Sequence, residues 1–261
     1  MPDARVYEAE ERSGRHLAES YVAPLLQMLF PDLADGGEAR AGTAPFRALS
    51  LGCGVGADVE ALTDLGYPCY GIDAGARRSA WKKRRQPERL FLSNARFLPF
   101  EDGAFDFVLV GCLIPHIGVY GDTCAVRPRF REERNEAFDE AVRVLRPGGW
   151  ILMSSPNRQC PLDLFHRPDP WRHLPRVHSP RESFLLSYGD YERALVGRCG
   201  CRNMQALPLE GYWGFYRSRE YAIGRLLQLP TRAFLKLLSW RPARLLRRSF
   251  INPWLVVLAQ K

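Results

Sequence analysis

The stretch Arg47-Ala-Leu-Ser-Leu-Gly52-Cys-Gly54-Val-Gly56 decides the fold. It reads as a short buried strand running into a glycine turn, with a helix following at once. Glycine lacks a Cβ and tolerates positive φ, so such a turn lets the backbone approach a ligand closely. The helix behind it offers unpaired N–H groups and the positive end of its dipole. A polar nucleoside cofactor is the natural occupant. The turn alone leaves two cofactors open, because Gly52, Gly54 and Ala57 also fit the G-x-G-x-x-G/A dinucleotide pattern. Asp73 follows where a dinucleotide's ribose ligand belongs, roughly 20 residues on.

Three later segments separate the two. Tyr70-Gly71-Ile72-Asp73 closes a second apolar strand with a carboxylate. Asn94-Ala95-Arg96-Phe97-Leu98-Pro99-Phe100-Glu101-Asp102-Gly103-Ala104-Phe105-Asp106 then leads into an apolar run. Finally Arg143-Val144-Leu145-Arg146-Pro147-Gly148-Gly149 precedes the strand Trp150-Ile-Leu-Met153. In this order they resemble the class I methyltransferases that use S-adenosylmethionine (SAM), specifically the large small-molecule group of that superfamily. The resemblance covers residues 46 to 157. No single piece carries it, since Arg-Pro-Gly-Gly alone is ordinary punctuation between a helix and a strand.

The resemblance implies a Rossmann-like α/β fold, with a mostly parallel seven-stranded sheet that finishes in an antiparallel pair. It implies that Gly52, Cys53, Gly54 and Gly56 line the methionine and ribose part of SAM. Asp73 accepts from both ribose hydroxyls, Asn94 and Ala95 meet the adenine, and Gly111 borders the same site. A carboxylate suits adjacent hydroxyls because its two oxygens match two donors. Two positions depart from the family pattern. Ser50 stands where an acid is usual, and Asn94 stands where Asp is usual. His116, in Gly111-Cys-Leu-Ile-Pro-His116, follows the fourth strand, where many relatives of this fold hold a histidine toward the acceptor. Imidazole titrates near neutrality and so suits a general base; packing against the cap is the other reading.

Composition bounds the rest. At 261 residues, with 46% hydrophobic and 25% charged content, the chain is an ordinary globular one. No run reaches the ~18 apolar residues of a membrane span. The start, Met1-Pro-Asp-Ala-Arg-Val, lacks a signal peptide's apolar core. Seven cysteines without a framework point to free thiols and a cytosolic setting.

Periodicity divides the chain into five parts. Residues 1–44 form an N-terminal helical segment with a Gly/Ala-rich linker at its end. Residues 45–157 form the SAM-binding core, where strands and helices alternate as in a parallel sheet. Residues 158–216 carry the substrate-side loop and sixth strand. Residues 217–250 form a basic amphipathic helical insertion, and 251–261 the final strand. The loop from Pro156 to Arg181 is dense in Pro, His and aromatics and begins at a strand's carboxyl end, so it reads as the substrate wall. His166, His173 and His178 are further acid–base candidates there, His178 foremost. Their spacing fits no helical metal pair, and no metal is expected.

The expected function is methyl transfer from SAM to a small or lipid-linked acceptor at oxygen. Methylation of RNA is the alternative that the positive charge invites, and a non-catalytic methyltransferase-like partner is the one that Ser50 and Asn94 invite. The run Arg77–Arg85 reads as a solvated helix face rather than a nucleic-acid patch, since no RNA-binding module accompanies it. Between 217 and 248, nine basic residues stand against one acid, Glu220. Ser218 and Thr231 are candidate helix starts there, with Pro230 and Pro242 dividing the helices. This stretch is either a pair of cap helices with Arg outward or a surface for anionic membrane, at the inner face of which the protein would then rest.

Overall fold

The computed structural model describes residues 4–31, 33, 45–121, 123–163, 176–214 and 222–261. The linker at 34–44, His166, His173, Arg217, Ser218, Arg219 and Glu220 lie outside the described residues.

Short apolar runs build the sheet. β1 (Ala48–Leu51) is buried at every position, as a strand covered on both faces must be. β2 (Cys69–Asp73), β3 (Leu90–Leu92), β4 (Phe105–Gly111), β5 (Leu145–Pro156), β8 (Arg202–Ala206) and β9 (Trp254–Gln260) complete it, and β6 (Leu162–Asp163) pairs separately with β7 (Arg176–Val177). The seven-stranded order is β3-β2-β1-β4-β5-β9-β8. β1 pairs parallel with β2 and β4, whereas β9 runs antiparallel to both β5 and β8, as expected. Chain order reverses between β1 and β4, the place where open α/β sheets bind ligands at their carboxyl edge.

β5 starts at Leu145, earlier than the expected 150, because Arg-Pro-Gly-Gly is a bulge within the strand rather than a turn before it. Gly148 takes φ +80° there, and a Cβ at Gly149 would meet the Asp106 carbonyl at 2.8 Å. α4 (Phe130–Arg143) precedes it and explains why two of the diagnostic segments occur together. Glu140 accepts from the Leu98 N–H at 2.7 Å, and Arg143 donates to the Phe100 carbonyl and to Asp102. Asp139 pairs instead with Arg198 on the surface.

The N-terminal segment is helical through α1 (Ala4–Leu17), a wider turn at Ala18–Val22 and α2 (Ala23–Leu29). It lies on α3 (Ala57–Asp64), and arginines fasten it. Arg77 donates to Glu10, and Arg84, itself buried, pairs with Glu11 and Glu60. Arg85 pairs with Asp64 and donates its backbone N–H to Glu60. The run at 77–85 is therefore not an α-helix: a 3₁₀ stretch, Ala76–Lys83, leads into Arg84, which is buried, while Arg78, Lys82, Lys83 and Arg85 stay exposed. Only its lysines and Arg78 remain as outward charge among those not ion-paired.

The insertion differs from its expected layout. α6 (Ala222–Ser239) runs through Pro230, so Thr231 begins no helix. Proline removes one N–H and crowds the preceding turn, which strains a helix without always ending it. Pro242 does start a second element, a 3₁₀ helix over Arg241–Arg248. Leu235, Leu238 and Ala243 are buried. Trp213, before the insertion, and Trp254, after it, pack with ring centroids 5.4 Å apart. No helix among the described residues is long and apolar enough to cross a membrane.

Candidate active site

The glycine turn after β1 takes the conformation its composition allows. Gly52, Gly54 and Gly56 have φ of +76°, +53° and +75°. Gly52 and Cys53 both donate to the Ile72 carbonyl, which fastens the turn to β2. The Trp81 indole donates to the Gly54 carbonyl at 2.8 Å. Asp73, at the end of β2, receives the Gly54 N–H at 3.0 Å on one oxygen and the Gly75 N–H at 2.5 Å on the other. Each oxygen keeps a further acceptor position. A Cβ at Gly56 would strike Leu90 at 2.8 Å, but one at Gly54 or Gly111 would meet nothing within 4 Å. Open space therefore lies beside the turn and beside the end of β4, and the Asp73 carboxylate stands at the end of β2, on the other side of β1.

A family model described as a methyltransferase domain matches residues 49–153. That span contains the turn, Asp73, the Asn94–Asp106 segment and the bulge of β5. By that match, residues 49–153 are a methyltransferase domain. A Mycolicibacterium smegmatis protein named "probable S-adenosylmethionine-dependent methyltransferase" is 29% identical over 45% of this chain and 44% of its own. A demethylmenaquinone methyltransferase of Beutenbergia cavernae is 31% identical over 41% of this chain and 40% of its own. The chain thus spans less than half the length of these curated relatives. A SAM-dependent methyltransferase of Archaeoglobus fulgidus shares the fold over 99% of this chain and 100% of its own, at 17% identity and a TM-score of 0.53.

The residues of the methyltransferase domain fit SAM, the cofactor of this family. The space beside Gly54 and Gly111 is the cradle that side chains would fill, and the Asp73 carboxylate has acceptor capacity left for vicinal hydroxyls. Asn94 spends its carbonyl oxygen on the Arg96 N–H at 3.0 Å, which closes a turn and leaves one lone pair and the amide N–H₂. Ala95 beside it is buried. Ser50 does not leave the domain short of an acid. Its hydroxyl donates to the Asp58 carboxylate at 2.6 Å, both groups being buried. Burial raises the Asp58 carboxyl above the usual range, while Ser50 and the first N–H groups of α3 oppose the shift. No sequence motif marks Asp58; its place in the first turn of α3, one residue past Ala57, was the available signal.

Two thiols lie near the turn and β4. Burial, then Asp58 and Asp73, push the Cys53 thiol well up; burial and Asp163 push Cys112 up to about 12. Both stay protonated near neutrality, so neither is an activated nucleophile.

His116 ends a single 3₁₀ turn, Ile114–His116, directly after β4. It is exposed, and its ring meets Phe184 edge-on at 5.7 Å. Arg134, from α4, holds that wall. It is 6% exposed and donates to the carbonyls of Pro115, Ile117, Ser183 and Phe184 at 2.8–3.1 Å. Burial lowers its pKa to about 10. The other side of Phe184 carries the Arg176 guanidinium, 5.5 Å from the ring centroid, which binds Asp163 and Glu182. His178 sits in this second group. Its side chain is 2% exposed, Nδ1 lies 3.4 Å from Glu182 and 3.2 Å from the Ser179 carbonyl, and Nε2 is buried. The structure therefore gives the two histidines different settings on one wall. Among the described residues, no three His, Cys, Asp or Glu converge as a metal site.

Proposed function

We propose that the protein transfers the methyl group of SAM to an oxygen of a small or lipid-linked acceptor. The observation that carries this reading is the turn itself: three left-handed glycines, the middle one, Gly54, donating to Asp73 and bordered by open space. Bound SAM supplies a methyl group on a sulfonium sulfur, an electrophile that needs no further activation. The protein then has to hold an acceptor in line and close, which is worth several powers of ten in rate. Gly111 leaves the room, Phe184 supplies an apolar wall, and Arg134 fixes both to the end of β4. His116 would accept the proton of an acceptor hydroxyl whose oxygen takes the methyl group, the S–CH3 bond breaking with its electron pair left on a neutral thioether. His178 is the second candidate, with Glu182 holding Nδ1. A carboxylate at Asp58 beside Ser50 supports retained transfer over a non-catalytic role. Arg77, Arg84 and Arg85 are ion-paired with acids of the fold, which weakens the case for a charge run facing RNA.

Calorimetric titration with SAM tests the reading. The wild-type chain should bind, and Asp73→Ala should bind about 10-fold to 100-fold more weakly, since a hydrogen bond to a charged group contributes roughly 1.5–3 kcal/mol. Equal affinities would remove Asp73 from the site. Incubation with methyl-labelled SAM and a panel of hydroxylated soluble and amphiphilic acceptors then identifies the acceptor class by transferred label.

A further inference from the structure

The outward side of the insertion is not the solvated arginine face that cap helices usually show. Along α6, Leu229, Ala233, Leu237 and Trp240 recur every third or fourth residue and so share one face. Leu229 is 76% exposed, Leu237 54% and Trp240 66%, while Leu235 and Leu238 on the opposite side are buried in the core. The helix thus has two apolar sides, and only one of them is covered by the protein. Arg232 and Lys236 border the uncovered stripe and are exposed.

The pattern continues past the turn. Leu245 is 70% exposed and Phe250 64%, and Leu245 borders, with exposed Arg241 and Arg244, an open hollow of about 570 Å³. No aspartate or glutamate occurs from 222 to 261. Two basic residues serve the fold: Arg247 binds the carbonyls of Leu238 and Ser239, and Arg248 lies 4.4 Å over the Tyr188 ring. Among the described residues, Arg241 and Arg244 have no such task. The element is also anchored at the carboxyl edge of the sheet, because Asn157, just past β5, donates to the carbonyls of Ser249 and Asn252.

We propose that this face, centred on Leu237, Trp240, Leu245 and Phe250 with Lys236, Arg241 and Arg244, seats on an anionic lipid surface. An aqueous setting leaves the apolar stripe exposed, and a nucleic acid would match the cations but not the leucines. A lipid surface answers both, since interfacial helices bury an apolar side at the headgroup boundary while Lys and Arg meet anionic headgroups. Tryptophan is itself favoured at that boundary. The inference goes beyond methyl transfer and does not rest on it.

Co-sedimentation of the full chain with vesicles of phosphatidylglycerol and phosphatidylcholine, against phosphatidylcholine alone, is the test. The protein should pellet with the anionic vesicles at low salt and be partly released at high salt. R241E/R244E and L237S/W240S should each lower partitioning by about 10-fold or more. All four residues are exposed, so both variants should keep wild-type melting and SAM affinity, which verifies that they are folded. Absence of pelleting with anionic vesicles at low salt overturns the proposal. So does pelleting that neither variant diminishes. Sedimentation velocity adds one further outcome: a dimer that L237S/W240S abolishes, with no vesicle binding, assigns the face to a second copy and overturns the lipid reading.

Discussion

The Ser50 hydroxyl and the Asp58 carboxylate meet at 2.6 Å, out of reach of water, where β1 passes into the glycine turn and α3 begins. A strand-end acid and its replacement by serine would differ by a full charge. Here the serine instead receives a carboxylate from the following helix, so the charge is moved by eight residues in sequence and hardly at all in space.

The pH dependence of stability should report on that carboxylate. Burial raises the Asp58 pKa above its unfolded value, so between the two the native state holds a proton that the unfolded chain has released. Its contribution to stability is therefore greatest at acid pH and declines as pH rises from the unfolded value, about 3.9, through the folded one. Asp58→Asn should lose this slope: relative to wild type, it should become progressively more heat-stable as pH increases across that window. Parallel melting curves at every pH would show that Asp58 is not the buried titrating group.

Gly54 and Gly56 should separate binding from folding. Alanine at either position meets the left-handed cost, about 1 kcal/mol, or about 2–4 °C in melting temperature for a chain of this size. At Gly56 the Cβ also strikes Leu90, so Gly56→Ala should melt lower than Gly54→Ala. Gly54→Ala puts its methyl into open space and should weaken SAM binding about 10-fold or more while keeping most stability. Unchanged SAM affinity in Gly54→Ala would exclude that space from the cofactor site.

His116→Ala should lower turnover far more than SAM affinity, because an acid–base group acts on the transition state. A loss of about 100-fold is in the usual range for such groups. The readout is kcat on any acceptor that supports turnover, with SAM titration and melting alongside. Full activity in His116→Ala, with loss in His178→Ala, would transfer the role to the histidine held by Glu182.

Arg134 should be the most stability-sensitive arginine. Four buried or partly buried carbonyls depend on it, so Arg134→Ala should cost on the order of 3 kcal/mol or more, since each unpaired buried acceptor costs about 1–3 kcal/mol. Lysine carries a compact charge with three donors and cannot span the same carbonyls, so Arg134→Lys should recover only part of it. Denaturant midpoints decide this; a lysine variant as stable as wild type would show that charge alone suffices.

Local features were readable from the chain. Positive φ at Gly52, Gly54 and Gly56 and the carboxylate closing β2 follow from residue types within a few positions of one another, whereas the antiparallel β9 followed only from the resemblance to class I methyltransferases. Arg77, Arg84 and Arg85 were not readable in this way, because their acids lie 21 to 73 residues away along the chain. Asp58 and Arg134 escaped for the same reason: a first-turn acid and a mid-helix arginine look solvated until the carbonyls or hydroxyl they face are in place. Pro230 misled in the other direction, since packing of Leu235 and Leu238 carries α6 across a residue that locally disfavours helix.

The contact between Trp213 and Trp254 means that the chain leaves the sheet and returns to it at nearly one point. Whatever lies between the two rings can therefore be lengthened, exchanged or shortened to a turn without altering the order of the strands. In a lineage, such a doorway lets one catalytic body acquire a new address or a new clientele by a single insertion. In the laboratory, it marks where a foreign helix pair can be spliced in while the SAM turn, at the far side of β1, keeps its shape.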